Sequence, residues 1–255
     1  MSDNSSPKML QSETLRTRIA YDYVPGNSQK PVLMFLHGLH SGMESSKCIH
    51  GMALAARLGL GAVRFDYPCH GASDGEFVDF TIGQALQAAK DVVAHIDRPV
   101  VVVGSSTGAW VALLLAHALP DKVRGIVTVA NACDFTERLY WDPLSDEEKQ
   151  DWQTSGVRVE PADEGEIWQI GYTLVDEGRR HMLLEGDKLA AVTCPARLLH
   201  GMADDVVPWH FSTDVAEKLG GADVKVELVK DADHRFKREG DLALMEQAIF
   251  SLPVW

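Results

Sequence analysis

Two short apolar runs constrain this chain more than anything else in it. Val32-Leu33-Met34-Phe35-Leu36 and Val100-Val101-Val102-Val103 carry no polar side chain at any position. Runs of this length are too short for a buried helix, and far from the roughly 18 residues that a membrane-spanning helix needs. A strand that is apolar throughout has both faces covered, which is the condition of a parallel sheet held between layers of helices. Further β-rich runs at 16–24, 61–66, 126–130, 196–200 and Val224–Val229 alternate with helically spaced apolar residues at 52–58, 83–95 and 109–118. This alternation predicts an α/β fold: a mostly parallel central sheet flanked by helices, with its chemistry at the carboxyl ends of the strands.

One stretch breaks the rhythm. From about 134 to 192 there is no clear β-run, and three tryptophans occur, Trp141, Trp152 and Trp168. Between Asp134 and Lys188 there are 15 acidic and 6 basic residues, so nine of the net −13 charges sit here. The stretch reads as a helical lid inserted into a single domain spanning 1–255, because its aliphatic content is too small for a core of its own. Its acidity is expected to disfavour polyanionic leaving groups by charge repulsion. The net charge of the whole chain repels phosphate backbones and anionic bilayers, which excludes general nucleic-acid binding. Cys48, Cys69, Cys133 and Cys194 lie far apart with no CxxC, against a zinc cluster or a disulfide scaffold. The opening residues carry neither an apolar signal core nor an Arg-rich transit face, and the expected location is the cytoplasm.

Gly104-Ser105-Ser106-Thr107-Gly108 follows the valine run and precedes a helical stretch. This is G-x-S-x-G in the strand–turn–helix setting that exposes the middle serine as a nucleophile. Serine is a weak nucleophile at neutral pH and needs a base, and the base needs an orienting carboxylate. Asp204 follows the 196–200 run and His234 follows Val224–Val229, so both belong on the same rim as Ser106. Asp205 and Asp134 are rival carboxylates; His37, His70 and His200 read as bracing residues. No histidine spacing matches a metal site. Amides to stabilise an oxyanion are expected from Thr107 and from Leu39, in the glycine turn His37-Gly38-Leu39-His40. The substrate pocket is expected to include His40, Met43, Trp141, Trp168 and Trp209.

With these residues assembled, the chain from about 16 to 252 resembles a serine hydrolase of the alpha/beta-hydrolase superfamily. The segments Arg64-Phe65-Asp66-Tyr67, Gly71-Ala72-Ser73-Asp74-Gly75, Gly104–Trp110, Leu198–His210 and Asp233-His234-Arg235 resemble the mitochondrial palmitoyl-protein thioesterase and acyl-glucuronide esterase type. The resemblance implies hydrolysis of acyl esters or thioesters with no cofactor, through Ser106, Asp204 and His234. Carboxylic ester hydrolysis is the leading expectation and thioester hydrolysis the alternative. A receptor that keeps the pocket without turnover is the reading from another class. The partner implied is a small acyl substrate, with no nucleic acid and no membrane span.

Overall fold

The computed structural model describes residues 7–161 and 167–255. Ten strands alternate with seven helices among them. In chain order these are β1 (Lys8–Ser12), β2 (Thr17–Val24), β3 (Val32–Leu36), α1 (Ser46–Leu58), β4 (Ala62–Phe65), α2 (Ile82–Ile96), β5 (Val100–Ser105), α3 (Thr107–Ala118) and β6 (Val123–Val129). Then follow α4 (Asp146–Ser155), β7 (Val157–Pro161), β8 (Ile167–Gly171), α5 (Tyr172–Gly178), β9 (Ala196–Gly201), α6 (His210–Lys218), β10 (Val224–Val229) and α7 (Glu239–Phe250).

Eight strands form one sheet in the order β1-β2-β4-β3-β5-β6-β9-β10. The six from β4 to β10 run parallel, and β1 and β2 add an antiparallel edge. The two apolar runs are β3 and β5, neighbours at the centre of the sheet. Their side chains divide by pleat. Val32, Met34, Leu36, Val100 and Val102 join the core on the α2 and α3 side. Leu33, Phe35, Val101 and Val103 join the core under α1 and α7. Covering both faces is what makes continuous apolarity necessary in these strands.

The helices follow the same logic. α2 opens on a capping box: the Thr81 hydroxyl accepts from the Gln84 amide while the Gln84 side chain accepts from the Thr81 amide. It buries Ile82, Ala85, Ala88, Ala89, Val92, Val93 and Ile96 on one stripe. Every residue of α3 from Thr107 to Ala116 is buried, so this helix is apolar all round.

Between β6 and β9 runs the acidic segment. Among its described residues it holds a π-helical turn (Thr136–Trp141), α4, α5 and two short 3-10 turns. The sequence suggested a helical segment, and this is corrected: β7 and β8 pair antiparallel as a hairpin. The hairpin is hard to read because its strands are short and one face is left to solvent, with Val159 and Ile167 exposed. α4 begins on a Ser145–Glu148 capping box and docks on the hairpin through Trp152, whose indole N–H donates to the Ile170 carbonyl at 3.1 Å. β1 also escaped the reading, a polar edge strand paired with β2. No helix among the described residues is long and apolar enough to cross a membrane.

Candidate active site

Ser106 is the turn residue between β5 and α3, with its backbone at φ 55° and ψ −119°. A residue bearing a Cβ holds positive φ only where its surroundings compel it. Here its amide donates to the Val129 carbonyl at 2.9 Å and its carbonyl accepts from the Ala109 amide at 2.9 Å. The flanking glycines are sterically required. A Cβ on Gly104 would stand 2.2 Å from the Gly108 carbonyl oxygen, and one on Gly108 would stand 2.3 Å from that of Leu36.

Asp204 and His234 lie in the loops after β9 and β10, adjacent parallel strands. His234 Nδ1 donates to Asp204 Oδ2 at 2.8 Å. A carboxylate only accepts, so the imidazole proton sits on Nδ1 and the Nε2 lone pair faces the Ser106 hydroxyl at 3.2 Å. The Asp204 side chain is fully buried. Burial pushes its carboxyl up, but hydrogen bonds from His200, His234 and the Val207 amide outweigh it and hold Asp204 well below the usual range. The amides of Val206 and Val207 close on Oδ1 at 2.9 and 2.8 Å. Neither rival carboxylate is the one bonded to His234. Asp134 accepts from the Leu183 and Leu184 amides at 2.9 and 2.7 Å, tying back the far end of the acidic segment. Asp205 lines the cavity, but it is Asp204 that bonds His234.

The glycine turn after β3 comes up against Ser106: a Cβ on Gly38 would lie 3.3 Å from that of Ser106. The Gly38 carbonyl accepts from His37 Nδ1–H at 2.8 Å and from the Ser41 amide at 3.3 Å. In a trans peptide C=O and N–H point in opposite directions, so pinning this carbonyl fixes the direction of the Leu39 N–H. His37 Nε2 in turn accepts the Tyr67 amide at 3.2 Å, and His70 Nε2 accepts the His40 amide at 3.3 Å. Burial pushes His37 down to about 4 and His70 to about 3, so both act as neutral rings. Thr107 is the first residue of α3, where an amide has no carbonyl four residues back within the helix.

These groups open on a cavity of about 1190 Å³. Of the expected pocket residues, His40 and Trp168 line it, their rings stacked at 4.4 Å and 6°. Met43, Trp141 and Trp209 do not. Met43 is buried with its amide on the Asp66 carboxylate at 2.6 Å. Trp141 packs on Trp152 and Tyr172 beneath the Arg179 guanidinium, closing the inserted segment on itself. Trp209 packs against the neighbouring His210 ring before α6. An apolar residue type does not say which side of a loop it faces. The described part of the acidic segment contributes Phe135, Leu139, Tyr140, Pro161 and Trp168 to the lining and no carboxylate, whereas Lys47, Arg235 and Lys237 also line it. The expected repulsion of anionic leaving groups therefore has no carboxylate from the described part of the segment behind it; the carboxylates that line the cavity, Asp205 and Asp233, come from the loops after β9 and β10.

A family model described as "Alpha/beta hydrolase family" matches residues 33–236. The chain belongs to the alpha/beta hydrolase family. This family membership makes it a hydrolase. Among curated proteins it is similar to "Palmitoyl-protein thioesterase ABHD10, mitochondrial" from Bos taurus, 37% identical over 92% of this chain and 76% of the relative. The Homo sapiens protein of the same name is 36% identical over the same shares. Among solved structures, "Alpha/beta hydrolase domain-containing protein 10 from mouse" is 32% identical, with a TM-score of 0.87, covering 97% of this chain and 98% of that one. These relatives correct the expectation of a cytoplasmic protein: they are mitochondrial by name. Net charge and scattered cysteines exclude classes of partner, but they encode no cellular address.

Proposed function

We propose that this alpha/beta hydrolase cleaves acyl esters and thioesters through a covalent acyl-enzyme on Ser106. The observation that carries the reading is the unbroken hydrogen-bonded chain from Ser106 through His234 to the buried Asp204, at 3.2 and 2.8 Å. His234 Nε2 takes the Ser106 proton as Oγ attacks the carbonyl carbon. Amides of Leu39 and Thr107 hold the resulting oxyanion. Protonated His234 then gives its proton to the departing alcohol or thiol, and the acyl group stays on Oγ. Water activated by the same nitrogen completes the cycle. Asp204 keeps the proton on Nδ1 and stabilises the imidazolium.

The acyl group lies in the aromatic part of the cavity, beneath Trp168, Leu139 and Tyr140, with the segment from 134 to 192 acting as a lid. Carboxylic esters are the general substrate class. The thioester reading is favoured by the names of the relatives at 36–37% identity, which are palmitoyl-protein thioesterases. Matched oxygen and sulfur esters from acetyl to palmitoyl, assayed on the wild type and on Ser106→Ala, test this. Steady multiple turnover that the substitution abolishes is expected. Turnover at wild-type rate in Ser106→Ala would overturn the proposal, and a single turnover without release would point to a receptor.

A further inference from the structure

The Asp204 carboxylate serves two imidazoles, not one. His200, the fifth residue of β9, is completely buried, and its Nε2 lies 3.1 Å from Asp204 Oδ2, the oxygen that also receives His234. The same Nε2 lies 3.1 Å from the Val207 carbonyl. Both neighbours only accept, so Nε2 carries a proton whichever way the Ser212 hydroxyl, 2.8 Å from Nδ1, is turned. Oδ1 is already closed by the Val206 and Val207 amides. The carboxylate is thus clamped from three directions, leaving His234 as its one partner on the cavity side among the described residues.

We propose that His200 is a positioning residue for hydrolysis, setting the orientation of Asp204 and, through it, the basicity of His234. The inference rests on the Ser106–His234–Asp204 reading above. Its N–H draws electron density from Oδ2, and so tempers the pull of that oxygen on the His234 proton. Without it the carboxylate binds the imidazolium more tightly and can rotate. His234 then becomes a stronger base that holds its proton to higher pH, and is aimed less well.

Two substitutions of similar polarity separate the roles of the ring. His200→Asn keeps a polar atom near Nδ1, within reach of Ser212, and loses the donor to Asp204. His200→Gln places its amide near Nε2 and retains that donor. Turnover of a short p-nitrophenyl ester across pH is the readout, with thermal unfolding as the check on folding. His200→Asn is expected to lower kcat about tenfold, with KM within about twofold, from the loss of one charge-assisted hydrogen bond. The acid limb of its kcat/KM profile should move to higher pH by about half a unit or more. His200→Gln should recover most of kcat and return the limb towards wild type. Asp205, Asp233, Arg235, Lys47, Lys237 and His40 also line the cavity. None of them changes in these variants, so the limb reports His200. Two results would overturn the proposal: an unmoved acid limb in His200→Asn, or equal impairment of both variants with loss of stability alone. Ser106→Ala run alongside keeps the readings apart. If it remains active, the triad assignment has failed; if it is dead while His200→Asn is normal, only the role of His200 falls.

Discussion

Positive φ at residues other than glycine falls mostly on one rim, with Arg16 and Asp97 as the exceptions among the described residues. His40, Cys69, Ser106, Ala130 and Asp134 all hold it, and each follows the carboxyl end of a central parallel strand. Strain of this kind persists only where neighbours over-determine it, and here the neighbours include two buried neutral histidines accepting backbone amides. That has a consequence for pH. His37 and His70 fall from an ordinary value of 6.5 to about 4 and about 3, chiefly by desolvation. Above pH 6.5 they are neutral folded or unfolded and contribute no pH dependence. As pH falls below that, only the unfolded chain takes up their protons, so stability drops until the folded values are reached. Between pH 7 and pH 5 the loss is about 2 kcal/mol per histidine, and Asp134, whose carboxyl is raised by burial, opposes it only in the carboxylate range. Denaturant midpoints should therefore fall on acidification, and His70→Asn should show roughly half of the histidine part of that slope. A slope unchanged by the substitution would show that His70 does not titrate in this way. The residues proposed for catalysis were legible because each sits at a strand end in a turn with a readable grammar. His200 was legible only as a bracing residue: its partner lies four positions on in a loop, where spacing carries no geometry.

The elements were legible in proportion to their burial. β3 and β5 announce themselves because both faces are covered. β1 and the β7–β8 hairpin do not, since an edge strand and a half-exposed ribbon mix polar and apolar residues much as loops do. On the proposed reading the hairpin would bear on substrate choice, because Trp168 on β8 lines the cavity and stacks on His40, whose ring also meets Phe77 at 4.0 Å. As a wall for the acyl chain, this indole should matter more as the chain lengthens. Trp168→Ala is expected to raise KM about tenfold for a palmitoyl ester and to change it little for an acetyl ester, given about 0.8 kcal/mol for each methylene kept from water. An equal effect on both would place Trp168 outside the acyl path.

At the scale of the whole molecule, the described residues of the acidic segment keep their charges off the cavity lining. The acidic segment holds nine of the net −13 charges, yet its described residues give the cavity only apolar and aromatic groups, together with the Tyr140 hydroxyl. Composition alone could not reveal that division, because a sum of charges does not say which face bears them. What the fold supplies is convergence: parallel register brings Ser106 and His234, 128 positions apart, onto one rim with the Asp204 carboxylate. The most direct test of the account is to trap the intermediate. Intact-protein and peptide mass spectrometry after mixing with an activated acyl ester should find one acyl group per chain, on the peptide holding Ser106, and none in Ser106→Ala. An adduct on Ser105 or Thr107, or turnover with no adduct at Ser106 under conditions where release is slow, would contradict it.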